Sequence, residues 1–153
     1  MTEPIVLQPG EGRTFPMGPD PVRVLVEPSA SGGAFAIVEA AISPGVPGPP
    51  PHIHTDGLEE LWYVLDGELE FMVGETTIRA GRGGFAHVPA GTLHTFANPG
   101  NETARWIGIF RPASGLVMIE QVAEVLAVPG EPDVARLMEV FATHGVEVPG
   151  APP

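Results

Sequence analysis

Turn-forming residues divide this chain into short segments, and this division limits the possible fold more than any other feature. Gly accounts for 20 and Pro for 19 of the 153 residues. Between residues 22 and 111 the turn signals recur at intervals of roughly 8–12 residues. They separate short apolar runs such as 22–27 (VRVLVE) and 103–110 (TARWIGIF). Short strands at this spacing are typical of a sandwich or barrel, so the sequence predicts an all-β domain.

Two of the turn signals lead to specific predictions. The segment 44–51 (PGVPGPPP) cannot be a helix or a central strand, because Pro fixes φ and lacks an N–H donor. We therefore expect it to form an ordered, extended loop. Asp66 and Gly67 lie between two apolar runs, and such a pair predicts a tight hairpin.

The sequence divides into a central barrel with a shorter segment on each side. Residues 1–21 predict an N-terminal arm or edge strand, and residues 22–111 predict the barrel. From 112 to 148 the apolar residues recur at helical spacing, which predicts two helices packed on the barrel, the second capped by Asp133. We expect residues 149–153 to be a frayed tail.

Charge and cysteine content exclude several classes of function. The chain has 19 acidic residues against seven basic ones, all of them Arg, for a net charge of −12. This balance argues against binding to nucleic acid or to an anionic membrane. The absence of Cys excludes disulfides, thiolate catalysis and cysteine-ligated metals. With no secretory signal and no membrane-length apolar run, we expect a soluble, cytoplasmic protein.

Three of the five histidines fall at positions that suggest a shared role. His52 and His54 are two residues apart, and in a strand this spacing places both imidazoles on one face. A short turn then brings Glu59 and Glu60 to the next strand, where a carboxylate can face the two imidazoles. His94 follows a tight turn further along the chain. These residues predict a metal site. The alternative is that His52 and His54 are exposed loop histidines and that His94 is a histidine buried in the core.

The order of these residues resembles the cupin family, small β-barrels that bind one metal through two motifs. The second motif is Gly, five residues, Pro-x-Gly, two residues, His, three residues and Asn. It is matched in full, by Gly83, Pro89, Gly91, His94 and Asn98.

The first cupin motif is matched with two departures. His52 and His54 fit its centre, and Glu60 with Gly67 fits its end. However, Val46 stands where the motif has its first Gly, and five residues rather than four separate His54 from Glu60.

The extra residue leaves the carboxylate ligand open between Glu59 and Glu60. Glu59 fits the distance from His54, whereas Glu60 fits the distance to Gly67. We favour Glu60, because a continuous strand fixes the phase up to Gly67. Alternation along the strand cannot decide, since the residues that alternate with each Glu are mostly apolar in both cases.

The resemblance implies a fold, a cofactor and an assembly. The fold would be a cupin-type double-stranded β-helix, or jelly-roll barrel, with a short C-terminal helical extension. One divalent metal ion (Fe, Mn, Ni, Co, Cu or Zn) would be held by His52, His54, Glu60 and His94. Cupins commonly form homodimers, and we expect the same here. His87 and His144 are interpreted as histidines outside the site.

The resemblance also implies a small-molecule substrate in an apolar barrel pocket. The residues expected to line this pocket are Trp62, Phe71, Met72, Phe96 and Phe110. The helical tail is similar to that of bacterial quercetin-dioxygenase-like cupins. This similarity favours a metal-dependent dioxygenase whose substrates are enol or phenol-type, flavonol-like compounds. Glu60 would then serve as a metal ligand and as a base. A non-oxidative isomerase, lyase or cyclase and a non-catalytic binding module are the alternatives, because one fold serves many functions.

Overall fold

The computed structural model describes residues 3–150, and most of the predicted frayed tail (151–153) lies outside this range. Within it, the chain forms eleven β-strands and two α-helices. The first strands are β1 (Arg13–Met17), β2 (Asp20–Val26), β3 (Ala36–Ile42), β4 (Ile53–His54), β5 (Glu59–Asp66) and β6 (Glu68–Val73). They are followed by β7 (Thr76–Gly81), β8 (Phe85–Val88), β9 (His94–Ala97), β10 (Ala104–Arg111), α1 (Ser114–Leu126), α2 (Val134–Thr143) and β11 (Val146–Glu147).

The strands form two main antiparallel sheets and one small ladder. The larger sheet has the order β1-β2-β3-β10-β5-β8, and the smaller has the order β7-β6-β9. The short strands β4 and β11 pair with each other. The prediction of an all-β jelly roll with a short helical extension is confirmed.

Alternation along the central strands determines which side chains face the interior. In β3 the buried residues are Ala36, Val38, Ala40 and Ile42, with partly exposed residues between them. The same period of two buries one set of β5 side chains and leaves the other set at the surface. The buried set of β5 begins with a charged residue, Glu60.

Four aromatic side chains join the inner faces of the two sheets. Trp62 on the larger sheet stacks on Phe71 of the smaller sheet, with ring centroids 5.2 Å apart and planes 19° apart. Phe96 lies 5.5 Å from Trp62 and 5.4 Å from Trp106, again on the opposite sheet. Offset and edge-on contacts of this kind add to the stabilisation from buried apolar area.

The hairpin predicted at Asp66 and Gly67 is wrong. β5 pairs with β10 and β8, whereas β6 pairs with β7 and β9, so the chain changes sheets at this point. Gly67 has φ +68°, and a Cβ there would lie 2.7 Å from the carbonyl oxygen of Thr103. The signal identified a real turn, but this turn forms a corner between the two sheets rather than a hairpin. The neighbouring backbone approaches so closely that only Gly fits at this position.

The segments on either side of the barrel form an edge strand and two packed helices. β1, within the predicted N-terminal arm 1–21, pairs with β2 at the edge of the larger sheet. Helix α1 packs against β1, β3 and β10, and α2 packs against α1 and β11. Asp133 accepts a hydrogen bond from the backbone N–H of Arg136, as expected of an N-cap. Strand β11 was not predicted.

No helix in residues 3–150 has the length and apolar character needed to cross a bilayer.

The Pro-rich loop is held in place by a close approach at Gly48, which allows a stability test. Gly48 (φ +70°) would place a Cβ 1.8 Å from the carbonyl oxygen of Phe96, whereas Gly45 (φ +75°) in the same loop has open space. Gly45→Ala should cost about 1–2 kcal/mol, from its backbone conformation alone. Gly48→Ala should cost roughly 1–3 kcal/mol more, because the loop must shift. Urea unfolding of both variants measures the difference, and equal costs would contradict this packing.

Candidate metal centre

The three histidines predicted from the sequence come together at one end of the barrel interior. His52 precedes β4, His54 ends it, and His94 begins β9. One ring nitrogen from each of the three lies within 4.8 Å of the other two. All three side chains are buried. This is the spacing and ligand chemistry of a site that could hold a transition metal ion.

Backbone hydrogen bonds bring the two histidine-bearing segments together. The N–H of His52 donates to the carbonyl of His94 (3.0 Å), and the N–H of His94 donates back to the carbonyl of His52 (2.9 Å). The N–H of Gly91 donates to the carbonyl of His54 (3.0 Å). The Pro-x-Gly turn of the second motif therefore supports a histidine of the first.

Hydrogen bonds also fix the orientation of two of the imidazole rings. Nδ1–H of His52 donates to the carbonyl of Pro50, and Nδ1–H of His94 donates to the carbonyl of Thr92, each at 2.9 Å. Because a carbonyl can only accept, these bonds set the tautomer and leave each Nε2 with a free lone pair.

The remaining ring nitrogens give a direct test of whether a metal fits. Nδ1 and Nε2 of His54 and Nε2 of His94 are buried and have no hydrogen-bond partner among residues 3–150. A buried polar atom without a partner is costly unless something satisfies it. Ring nitrogens that lie within 4.8 Å of one another, in a chain without thiolates, suit a divalent transition metal.

The carboxylate of Glu60 lies beside the imidazoles. Its Oε1 is 3.4 Å from Nε2 of His54, and its Oε2 is 3.5 Å from Nε2 of His94. Glu59 faces the outside of the sheet, where its carboxylate lies 3.4 Å from Nε2 of His87 and 3.3 Å from the guanidinium of Arg111. The geometry therefore places Glu60 at the cluster, and Glu59 away from it.

The four buried groups perturb one another's protonation. Burial raises the pKa of Glu60, but the imidazoles of His54 and His94 outweigh it and lower that pKa to about 2. Burial and the nearby His94 lower the pKa of His52 to about 4. Burial also lowers the pKa of His94, yet the Glu60 carboxylate dominates and raises it. At neutral pH the cluster therefore contains an ionised carboxylate and a neutral His52.

Outside the cluster, Asn98 of the second motif has a structural role. It is fully buried, and its side-chain amide donates to the carbonyls of Ile42 (3.0 Å) and Glu102 (2.7 Å). Its backbone N–H donates to the carbonyl of Val46 (3.0 Å), and its carbonyl accepts from Gly45 (2.9 Å). Asn98 thus ties the Pro-rich loop to the end of β9.

An apolar cavity of about 240 Å³ extends from His52 and Glu60 between the sheets. Of the residues predicted to line it, Trp62, Phe96 and Phe110 do so. Phe71 and Met72 are not in the lining. Phe71 is buried against Trp62, and Met72 points to the other face of β6 by strand alternation.

Several lining residues were not predicted from the sequence. Trp106 lies on the same face of β10 as Phe110, so alternation along that strand contained the signal. Met118, Ile119 and Val122 line the cavity from α1, at helical spacing that was interpreted only as packing against the barrel. The other missed residues are Met17, Pro19, Asp20, Val22, Val38, Ala40, Ala41, Ile42, Val46, Gly48 and Pro49. Among the described residues that form the lining there is no Arg.

Comparisons with known proteins agree with this architecture. The family model for the Cupin domain matches residues 38–110. Quercetin 2,3-dioxygenase of Bacillus subtilis (strain 168) is 31% identical over 100 residues, which span 65% of this chain but only 29% of that enzyme.

Two solved structures illustrate the similarity of fold. The polyketide cyclase RemF of Streptomyces resistomycificus matches with a TM-score of 0.59 and 22% identity, over 71% of this chain and 80% of that one. A predicted oxalate decarboxylase of Thermotoga maritima matches with a TM-score of 0.62 and 18% identity, over 71% of this chain and 99% of that one. At such identities the likeness concerns the fold alone.

The charge arrangement predicts separate titrations for His94 and His52 in the metal-free protein. Followed by NMR, His94 should titrate above the ordinary value of about 6.5, since protonation is favoured by Glu60. His52 should titrate near 4. Removing the carboxylate in Glu60→Gln should lower the pKa of His94. Unchanged titration of His94 in that variant would show that the carboxylate does not act on it.

Proposed function

Since this chain belongs to the cupin superfamily through the domain at residues 38–110, we propose that it is a metal-dependent dioxygenase of small, neutral organic molecules. The substrate class is an enol or phenol, including flavonol-like compounds. The proposal is supported by the histidine cluster at the end of an apolar cavity and by the partial similarity to quercetin 2,3-dioxygenase.

We propose His52, His54, Glu60 and His94 as the ligands of one divalent metal ion. Their donor set, three imidazoles and a carboxylate, suits Fe, Mn, Ni, Co, Cu or Zn. When bound, the metal supplies a Lewis acid for a substrate oxygen and, if redox-active, a centre for reaction with dioxygen.

The observation that carries the substrate class is the lining of the cavity. Asp20, His52 and Glu60 contribute its only ionisable side chains in the described chain, and none of these supplies a fixed positive charge. Phosphate and carboxylate groups are usually recognised by Arg or Lys. A neutral, largely apolar molecule is therefore favoured, and the volume lies below the roughly 300–1,000 Å³ of common ligand pockets, which indicates a small one.

The residues of the cavity have separable tasks in this proposal. Trp62, Phe96 and Phe110 line the cavity, so they would surround an aromatic ring of the substrate and keep bulk water from it. The Glu60 carboxylate is ionised at neutral pH, so it can accept a hydrogen bond from a substrate hydroxyl, and we propose it as the base that receives the proton.

A non-oxidative isomerase, lyase or cyclase is the second candidate, and Asp20 favours it. Such an enzyme needs a base besides the metal ligands. Asp20 is a second carboxylate in the cavity lining, held by hydrogen bonds from the backbone N–H and the hydroxyl of Ser43, both 2.8 Å.

The homodimer implied by the family resemblance stays a prediction. It is supported by the exposed apolar run Ile5, Val6 and Leu7 in the N-terminal segment, which a second copy could cover.

The ligand assignment predicts how metal content responds to single substitutions. His52→Ala and His94→Ala should each abolish stoichiometric metal, because each removes a donor from a small cluster. The matched control His87→Ala should retain it, since His87 lies outside the barrel. Glu60→Gln should lose most of the metal and Glu59→Gln none. Elemental analysis measures all five, and full metal in His94→Ala would refute the assignment.

The activity is tested by oxygen consumption with the metal-loaded protein. Flavonols and diketones should support uptake of dioxygen, and Glu60→Gln should lower the rate by about 10²-fold or more. Glu59→Gln is the control and should act like the wild type. Conversion of a substrate at equal rates without dioxygen, and its loss in Asp20→Asn, would instead support the non-oxidative candidate. Binding without turnover would favour a binding module.

A further inference from the structure

We propose that the C-terminal segment formed by α2 and β11 is a positioning element of the metal centre, acting through Phe141 and the β11–β4 pairing. The inference rests on the proposed metal site. It extends that site beyond the family motifs, because α2 and β11 begin more than twenty residues after the last residue matched by the Cupin domain.

The strand that ends in one proposed ligand, His54, and directly follows another, His52, is too short to hold itself in place. β4 contains only Ile53 and His54 and follows the Pro-rich loop. On one side, the strand is fixed by the backbone pair between His52 and His94. On the other side, the neighbour of β4 is β11, with Val146 opposite His54 and Glu147 opposite Ile53.

A second set of bonds extends this attachment past the strand. The carbonyl of Gly145 accepts from the backbone N–H of Thr55 (2.7 Å) and from its hydroxyl (2.9 Å). Gly145 has φ +63°, and a Cβ there would lie 3.0 Å from Cβ of Asp56. The C-terminal segment therefore makes close backbone contact with the residues directly after His54.

The segment also contacts a proposed ligand through a side chain. The ring of Phe141 lies parallel to that of His52, with planes 4° apart and centroids 6.5 Å apart. Phe141 is partly buried against the core, and His52 is only 8% exposed. Phe141 thus lies alongside His52 in a parallel orientation, while the Pro50 carbonyl holds Nδ1 of His52.

These contacts limit the movement of His52 and His54 before a metal arrives. Without them, binding the metal would also have to order the strand and the ring, and the affinity would fall. Loss of a group that orients a ligand typically weakens metal binding by about 10- to 100-fold.

The test uses Co²⁺ as probe, with its affinity and visible absorption spectrum as readouts. Phe141→Ala should weaken Co²⁺ binding by roughly 10-fold or more and alter the spectrum. Phe141→Tyr keeps the ring and should restore both. Val134→Ala, at an exposed position on the same helix, is the control and should match the wild type. In the full-length chain, Gly145→Ala places a Cβ against Asp56 beside β4 and should also weaken Co²⁺ binding.

The outcomes separate this inference from the function proposed above. Wild-type affinity and spectrum in Phe141→Ala, even with a lowered melting temperature, would show that the segment only stabilises the fold and would overturn the inference alone. The same holds if Gly145→Ala binds Co²⁺ as the wild type does. If the wild-type chain binds no Co²⁺, or binds it no more tightly than the His94→Ala variant does, both the metal centre and this inference would be overturned.

Discussion

The reciprocal pair of backbone hydrogen bonds between His52 and His94 is the contact on which the rest of the site depends. It joins two segments that are far apart in sequence and places the side chains of both residues on one side of a two-residue bridge. The Pro-rich loop can reach this position because Gly48 allows it to pass directly over the carbonyl of Phe96. Asn98 then anchors the beginning of the same loop. The two motifs thus hold the site together through backbone contacts, and they also supply its candidate metal ligands.

The barrel buries four ionisable groups at this point. Electrostatic attraction between the carboxylate and the imidazoles partly compensates for the hydration that these groups lose. Glu60 stays ionised despite full burial because two imidazoles lie within 3.5 Å of it. Burial of a charge is unfavourable unless it is paired, so this cluster costs stability in a domain that could otherwise have an apolar core. Buried ring nitrogens of His54 and His94 in the same place have no hydrogen-bond partner within residues 3–150, which fits a site maintained for a ligand rather than for the fold.

The sequence was sufficient for the all-β fold, the cupin family and the convergence of three histidines, because these depend on turn spacing and on local motifs. It could not decide between Glu59 and Glu60 by alternation, since both faces of β5 are mostly apolar and only the packing of the larger sheet against the smaller one shows which face is inside. The corner at Gly67 and the pairing of β4 with β11 depend on long-range contacts that leave no local signal. Likewise, the apolar spacing of α1 predicted a helix without showing that Met118 and Ile119 would line a cavity.

The central claim is that the three histidines and Glu60 hold one divalent transition metal ion. The most direct test is plasma mass spectrometry of tag-free protein purified without chelator. The account predicts about one equivalent of such a metal per chain, as isolated or after reconstitution. A protein that contains no metal as isolated and takes up none on reconstitution would contradict it.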